Sequence, residues 1–320
     1  MATHSKAPFH LLGWSALTIL TGGHVTADAP APAEFSVAAK DPPRRKALQE
    51  VCAGIAEKLK ALQGVSSLYF KDLDRGDVLS MRGDKVMHPA STIKTPVLVT
   101  NFRDIDAGKY TTDKEFTVVN QFPSAADGKP FTTDGFEESN AAVGKPMKLR
   151  RIMELMIHLS DNQATNNCTQ VAGGFQKVTD TMRALGLKNT TCKRYITDER
   201  AFAKGIASTT TAADMGLLYE KIARNQAASE KSCQTIIEIL LGQTFNNQIP
   251  AGVPKEVKVA HKTGWFEGTL HDGGILFAGD RKYVLVIMMT DMKTSKEDGL
   301  KLQADITRLI YDKLITPEKK

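Results

Sequence analysis

The 320-residue chain lacks most of the features that would place it in a specialised class. Only four cysteines are present, Cys52, Cys168, Cys192 and Cys233, and no two form a C-x-x-C pair, which argues against a zinc knuckle or a thioredoxin-type redox site. The seven histidines show no H-E-x-x-H or comparable ligand spacing, so neither a metal nor another cofactor is expected. No basic run is interleaved with aromatics; the formal charge of +6 is scattered among acidic residues and reads as a solvated surface. Nucleic acid is therefore not an expected partner. The longest apolar run, Leu11 to Leu20, falls short of the roughly 20 residues a transmembrane helix needs, so no permanent membrane anchor is expected. Internal repeats and low-complexity tracts are also missing.

What is there is the material of a soluble globule: 42% hydrophobic and 24% charged residues, enough to bury a sizeable core. The start differs in kind. Lys6, the Leu11 to Leu20 run and the small residues around Ala27 to Ala33 read as a secretory signal peptide over residues 1–33. Cleavage after Ala33 is favoured over cleavage after Ala29, where Pro30 would follow the cut. The expected location is secreted or periplasmic. Such a compartment permits disulfides, with three full pairings open, and buried free thiols fit the sequence equally well.

Residues 34–43, with Pro42 and Pro43, read as a tether to a helix with an apolar face of Leu48, Val51, Cys52, Ile55, Leu59 and Leu62, ended by Gly64. Val65 to Leu73 and Val78 to Met81 predict a hairpin. Strands return at Val257 to Ala260, Gly273 to Phe277 and Tyr283 to Met289, before a last helix from about Ser295. Between these ends the pattern is helical, for example Leu149 to Leu159, Phe175 to Leu185 and Ala212 to Ile222. Gln121 to Asn140 reads as a long loop. The expected fold class is α+β and two-lobed: one antiparallel sheet flanked by the N- and C-terminal helices (44–85 and 240–320), with an all-helical lobe (86–239) inserted between.

Three short motifs stand in order along the chain: Ser91-Thr92-Ile93-Lys94, Ser160-Asp161-Asn162 and Lys262-Thr263-Gly264. Residues three apart on a helix share a face, so the Lys94 amine can reach the Ser91 hydroxyl, and a base beside a serine makes a nucleophile. That amine must be neutral near pH 7, which burial or a neighbouring cation such as Lys262 favours. Pro96 cannot sit deep in a helix, so the helix begins close to Ser91 and aims free N–H groups at it. Ser160 falls at a helix end, where its hydroxyl can relay a proton. Asn162 offers the donor and acceptor a substrate amide requires, and Asp161 suits a turn-holding role. Lys262 and Thr263, just after the strand ending at Ala260, suit a carboxylate. Gly264 leaves room for substrate backbone, and Trp265 supplies a second N–H for an oxyanion.

Taken together these residues resemble the serine β-lactamases of class A and the related penicillin-binding D-alanyl peptidases. The resemblance spans roughly residues 44–316 and includes Ala90, Gly173 and Gly174, Thr209 to Thr211, Glu267 and Gly268. It implies a β-lactamase-like catalytic domain over 44–320 with the active site between its lobes, taking a β-lactam or a D-alanyl peptide as substrate, and a monomer. It assigns Ser91 as acylated nucleophile, Lys94 as base, Ser160 as proton relay, Asn162 as substrate ligand, and Lys262 and Thr263 as carboxylate ligands. One departure bears on turnover. Class A enzymes carry a glutamate after an Arg-aromatic pair, and this glutamate activates the water that clears the acyl-enzyme; here the stretch reads Arg194, Tyr195, Ile196. Glu199 could swing into that role, or it and Asp198 are solvated loop carboxylates. Ser208 stands where the loop's closing aspartate would pair with Arg194.

Overall fold

A computed structural model describes residues 34–316; the expected signal peptide, residues 1–33, lies outside the described residues. A six-stranded antiparallel sheet is assembled from both ends of the chain, in the order β1-β3-β2-β10-β9-β8. Its N-terminal strands are β1 (Phe35–Ala38), β2 (Val65–Asp72) and β3 (Val78–Met81), and its C-terminal strands are β8 (Lys258–Phe266), β9 (Thr269–Ala278) and β10 (Arg281–Thr290). The two groups meet where β10 pairs with β2, from Tyr283 opposite Asp72 to Thr290 opposite Val65.

Side-chain alternation along the strands makes this sheet the divide between two cores. On β10, Leu285, Ile287 and Met289 point to one face with Leu68 and Phe70 of β2, and pack against α1 (Pro42–Leu59) and α10 (Lys296–Ile310). Val284, Val286 and Met288 point to the other face and join the core of the helical region. With both faces covered, the central strands read as nearly continuous apolar runs.

The helical region holds α2 (Lys94–Asp106), α4 (Leu149–His158), α5 (Asn162–Val171), α6 (Phe175–Ala184), α8 (Ala212–Ala223) and α9 (Glu230–Leu241), with the short α3 (Glu137–Ala141) and α7 (Glu199–Ala203) at its margins. Among the described residues no helix is long and apolar enough to cross a membrane.

Four local expectations change. Residues 35–38 are an edge strand paired with β3, Phe35 opposite Met81, rather than part of a free tether. The Gln121 to Asn140 stretch is not a loop throughout: β5 (Gln121–Pro123) and β6 (Pro130–Thr132) form a ribbon, and α3 begins at Glu137. The helical region is accordingly not all-helical, since β4 (Glu115–Thr117) and β7 (Pro146–Lys148) form a second ribbon. Finally, Lys262, Thr263 and Gly264 lie within β8, which continues to Phe266. All four cysteines are buried and unpaired.

Candidate active site

Ser91 sits in a 3-10 turn, Ala90–Ile93, that runs directly into α2 at Lys94. Pro96 falls in the first turn of α2, where its missing N–H costs no helical bond. The turn is entered through Ala90 in the left-handed region, φ +46°, an expensive conformation for a residue with a Cβ. His88 holds the bend: its Nδ1 accepts from the Ala90 N–H at 3.1 Å. His271, 183 residues on from His88 and fully buried on β9, donates from Nε2 to the His88 carbonyl at 2.9 Å, while its Nδ1 accepts from the Met289 N–H. Burial pushes both imidazoles down to about 4, so the pair is neutral at pH 7. Neither histidine carries a motif in sequence, because the contact is made only when β9 packs against the Ser91 turn.

Ser160-Asp161-Asn162 forms the corner between α4 and α5. Asp161 caps α5, accepting from the Ala164 N–H at 2.7 Å, and also accepts from the Phe136 N–H at 2.7 Å. Such a cap contributes about 1 kcal/mol. Ser160 is left-handed as well, φ +57°, and so turns its carbonyl and hydroxyl toward α2. The Lys94 amine, completely buried, donates to Ser160 O at 2.7 Å and Asn162 Oδ1 at 2.9 Å, and lies 3.1 Å from Ser160 Oγ, whose hydroxyl can donate to it when the amine is neutral. No hydrogen bond joins it to Ser91 Oγ. Burial, reinforced by the Lys262 charge, holds the Lys94 amine well below the usual lysine range.

From the sheet side, β8 passes directly against the Ser91 turn. A Cβ on Gly264 would stand 3.1 Å from Ser91 N and 3.2 Å from Ala90 Cβ, so only glycine fits there without displacing a neighbour. Lys262, also fully buried, donates to Ser160 Oγ at 3.1 Å and to Thr263 O at 2.8 Å. Burial lowers its amine to about 7, against the opposing pull of Asp272. Two cavities meet at Ser91, Asn162 and Trp265. The larger, about 460 Å³, is lined also by Ser160, Thr263 and Gly264, with Phe136, Phe245 and Lys296 at its walls. The smaller, about 190 Å³, lies toward His88, Arg194, Ile196, Glu199 and Phe202.

The sequence-predicted residues Ser91, Lys94, Ser160, Asn162, Lys262, Thr263, Gly264 and Trp265 are thus gathered at one cleft. Glu199 is exposed at the start of α7 and lines the smaller cavity. Asp198 is buried instead, accepting from Ser124 Oγ and the Ala125 N–H at 2.8 Å and capping α7 through the Ala201 N–H. Ile196 is fixed through its backbone: Asn166 Oδ1 accepts from its N–H at 2.8 Å and Asn166 Nδ2 donates to its carbonyl at 3.0 Å. Among the described residues no cluster of side chains could hold a metal ion.

A family model described as "Beta-lactamase enzyme family" matches residues 44–314. The chain belongs to the β-lactamase enzyme family. It is 24% identical over 275 residues to a β-lactamase of Streptomyces albus G, covering 82% of this chain and 83% of that protein. It is 30% identical over 177 residues to β-lactamase L2 of Stenotrophomonas maltophilia, covering 54% and 58%. Among solved structures, a Leu-to-Glu mutant of PBP-A in an acyl-enzyme complex with penicillin G superposes with a TM-score of 0.72 at 26% identity, over 83% of this chain and 95% of that one. The TLA-3 extended-spectrum β-lactamase gives 0.74 at 19% identity, covering 83% and 98%, which speaks to the fold alone. This family member is a serine β-lactamase-like hydrolase.

Proposed function

We propose that the protein is a secreted, class A-like enzyme that opens β-lactams through an acyl-enzyme on Ser91. The observation that carries the reading is the Ser160 hydroxyl, placed 3.1 Å from each of two buried amines beside the nucleophile. A neutral Lys94 removes the Ser91 proton as Oγ attacks the lactam carbonyl. The proton passes through Ser160 to the departing nitrogen, and the N–H groups of Ser91 and Trp265 hold the oxyanion. Lys262 in its protonated form and the Thr263 hydroxyl bind the substrate carboxylate. Asn162 spends its Oδ1 on Lys94, which leaves its NH₂ free to donate to the substrate's amide carbonyl. Gly264 admits the substrate backbone. Export through a signal peptide ending at Ala33, to the periplasm or beyond, belongs to the same reading.

Ile196 favours a second reading. Its side chain cannot activate water, and the exposed Glu199 is the carboxylate left to serve as deacylation base. Slow clearance would suit a D-alanyl-D-alanine carboxypeptidase or transpeptidase acting on peptidoglycan, or a module that binds β-lactams without turnover. Incubation with benzylpenicillin, following product release and intact mass together, separates these. Rapid release supports the β-lactamase; a lasting Ser91 adduct with release from D-alanyl peptides supports the peptidase; an adduct with no turnover supports the binding module. A Ser91→Ala protein that hydrolyses the drug at the parent rate refutes all three.

A further inference from the structure

Arg194 is a cation without a counter-ion. Among the described residues no carboxylate lies within ion-pair distance of it, and Ser208, where the family pattern would supply an aspartate, instead accepts from the Lys193 N–H at 3.2 Å. The guanidinium uses Nη1 to donate to the Tyr195 carbonyl at 3.2 Å and stacks over the Phe202 ring, 4.9 Å from its centroid. Its Nε is buried and has no acceptor. The buried Nε is out of a ligand's reach, but the planar guanidinium still has its Nη2 end unspent, and that end can donate to a carboxylate. Burial also lowers the basicity of Arg194, with Asp198 opposing, which is the direction expected of a charge awaiting an anion.

The position of this cation gives it a use. Arg194 lines the smaller cavity, which opens on the same Ser91 and Asn162 as the larger one but on the side away from Thr263 and Gly264. At about 190 Å³ it has room for a ring-sized substituent, since a cavity of roughly 150 Å³ takes up benzene. Its other titratable groups are His88 and Tyr195, both neutral at pH 7, and Glu199, which lines the cavity but does not pair with Arg194. Ile93, Ile196, Phe202 and Phe266 supply apolar wall, and Thr197 and Ser208 add hydroxyls.

We propose that the smaller cavity is an anion-accepting subsite for the acyl side of the substrate, with Arg194 as its specificity-determining residue. Preferred acyl donors then carry a carboxylate on the acyl side chain in addition to the one bound at Lys262 and Thr263. This rests on Ser91 being the nucleophile. The test compares second-order rates of Ser91 adduct formation, read by intact mass, for benzylpenicillin, for carbenicillin, which adds an α-carboxylate to the same side chain, and for the side-chain ester of carbenicillin. The expected result is a preference of about tenfold or more for the free acid over both other drugs. Arg194→Gln abolishes that preference, so that carbenicillin and its side-chain ester acylate at rates within about twofold of each other. Should Arg194→Gln fail to fold, the acid-to-ester ratio of the unaltered protein decides alone. Equal rates with all three drugs overturn this inference only. No adduct from any of them overturns the assignment of Ser91 and this inference with it.

Discussion

Lys94 and Lys262 arrive from opposite sides of the cleft, one at the start of α2 and one within β8, and place their amines 3.1 Å from the same Ser160 hydroxyl. Both are fully buried, and burial depresses both, with the Lys262 charge adding to the effect on Lys94. On the proposed reading the two amines divide the work, Lys94 as base and Lys262 as carboxylate ligand.

A pH profile follows from that division. If Lys262 binds the substrate carboxylate as proposed, it must be protonated to do so; with burial lowering its amine to about 7, adduct formation at limiting benzylpenicillin falls as pH rises through about 7. Lys262→Arg keeps its charge to far higher pH, and the alkaline limb moves up by about two units or more. Stopped-flow acylation rates between pH 5 and 10 check this; an unmoved limb in Lys262→Arg assigns it elsewhere.

Stability has the opposite slope. Between about pH 7 and the ordinary lysine value of 10.5, the unfolded chain holds a proton on this amine that the folded chain has released. More protons on the unfolded side means stability that rises with pH. At pH 7 the folded chain must either bury the Lys262 charge or give up its proton, a cost that a methionine of similar length does not carry. Lys262→Met is thus expected to melt above the parent at pH 7, with the gap narrowing by about pH 10; a constant gap in a thermal melt series argues against the depressed amine.

Ile196→Glu tests deacylation directly. Asn166 holds residue 196 by its N–H and carbonyl, so the backbone stays in place whatever the side chain. Ile196 lines the cavity that opens on Ser91, and a carboxylate there can reach a water near the ester. The expected effect is an acyl-enzyme lifetime shortened about tenfold or more, with the acylation rate little changed. Unaltered adduct decay by time-resolved mass spectrometry would show that the missing carboxylate is not what limits release.

The cysteines give a test independent of the site. All four are buried and unpaired. Denatured without reductant, the protein is expected to titrate four free thiols, and reductant should leave the melting temperature unchanged. A drop in melting temperature on reduction would mean that a disulfide forms after all.

Much of this was legible in the sequence, and the reasons are physical. The three motifs are contiguous, so two of them carry their own local geometry: a helix start near Pro96 and a held corner at Asp161. The hairpin of β2 and β3 declares itself through the Asp74-Arg75-Gly76 turn. What stayed hidden depends on partners distant in sequence. Phe35 to Ala38 is too short to read as a strand until β3 pairs with it. The ribbon of β5 and β6 is masked by the prolines at its ends, Pro123 opposite Pro130. The reach of β8 to Phe266 was missed because Ala260 to Gly264 is buried throughout and so shows no polar alternation. The His88–His271 contact exists only in the folded molecule, whereas the lone charge of Arg194 was already signalled by Ser208 in the sequence.

The left-handed backbone at Ala90 and Ser160 sets a limit on how this protein can be improved. Glycine at either position would relieve strain on the order of 1 kcal/mol, and so would tempt any selection made for heat resistance alone. Those two bends, however, aim the Ser91 and Ser160 hydroxyls, the nucleophile and relay of the proposed reaction, and a freer backbone would let both wander. Directed evolution for thermostability should therefore spare residues 88–94 and 160–162 and look to the sheet edge and the outer helices, where a gain in robustness need not be taken from the chemistry.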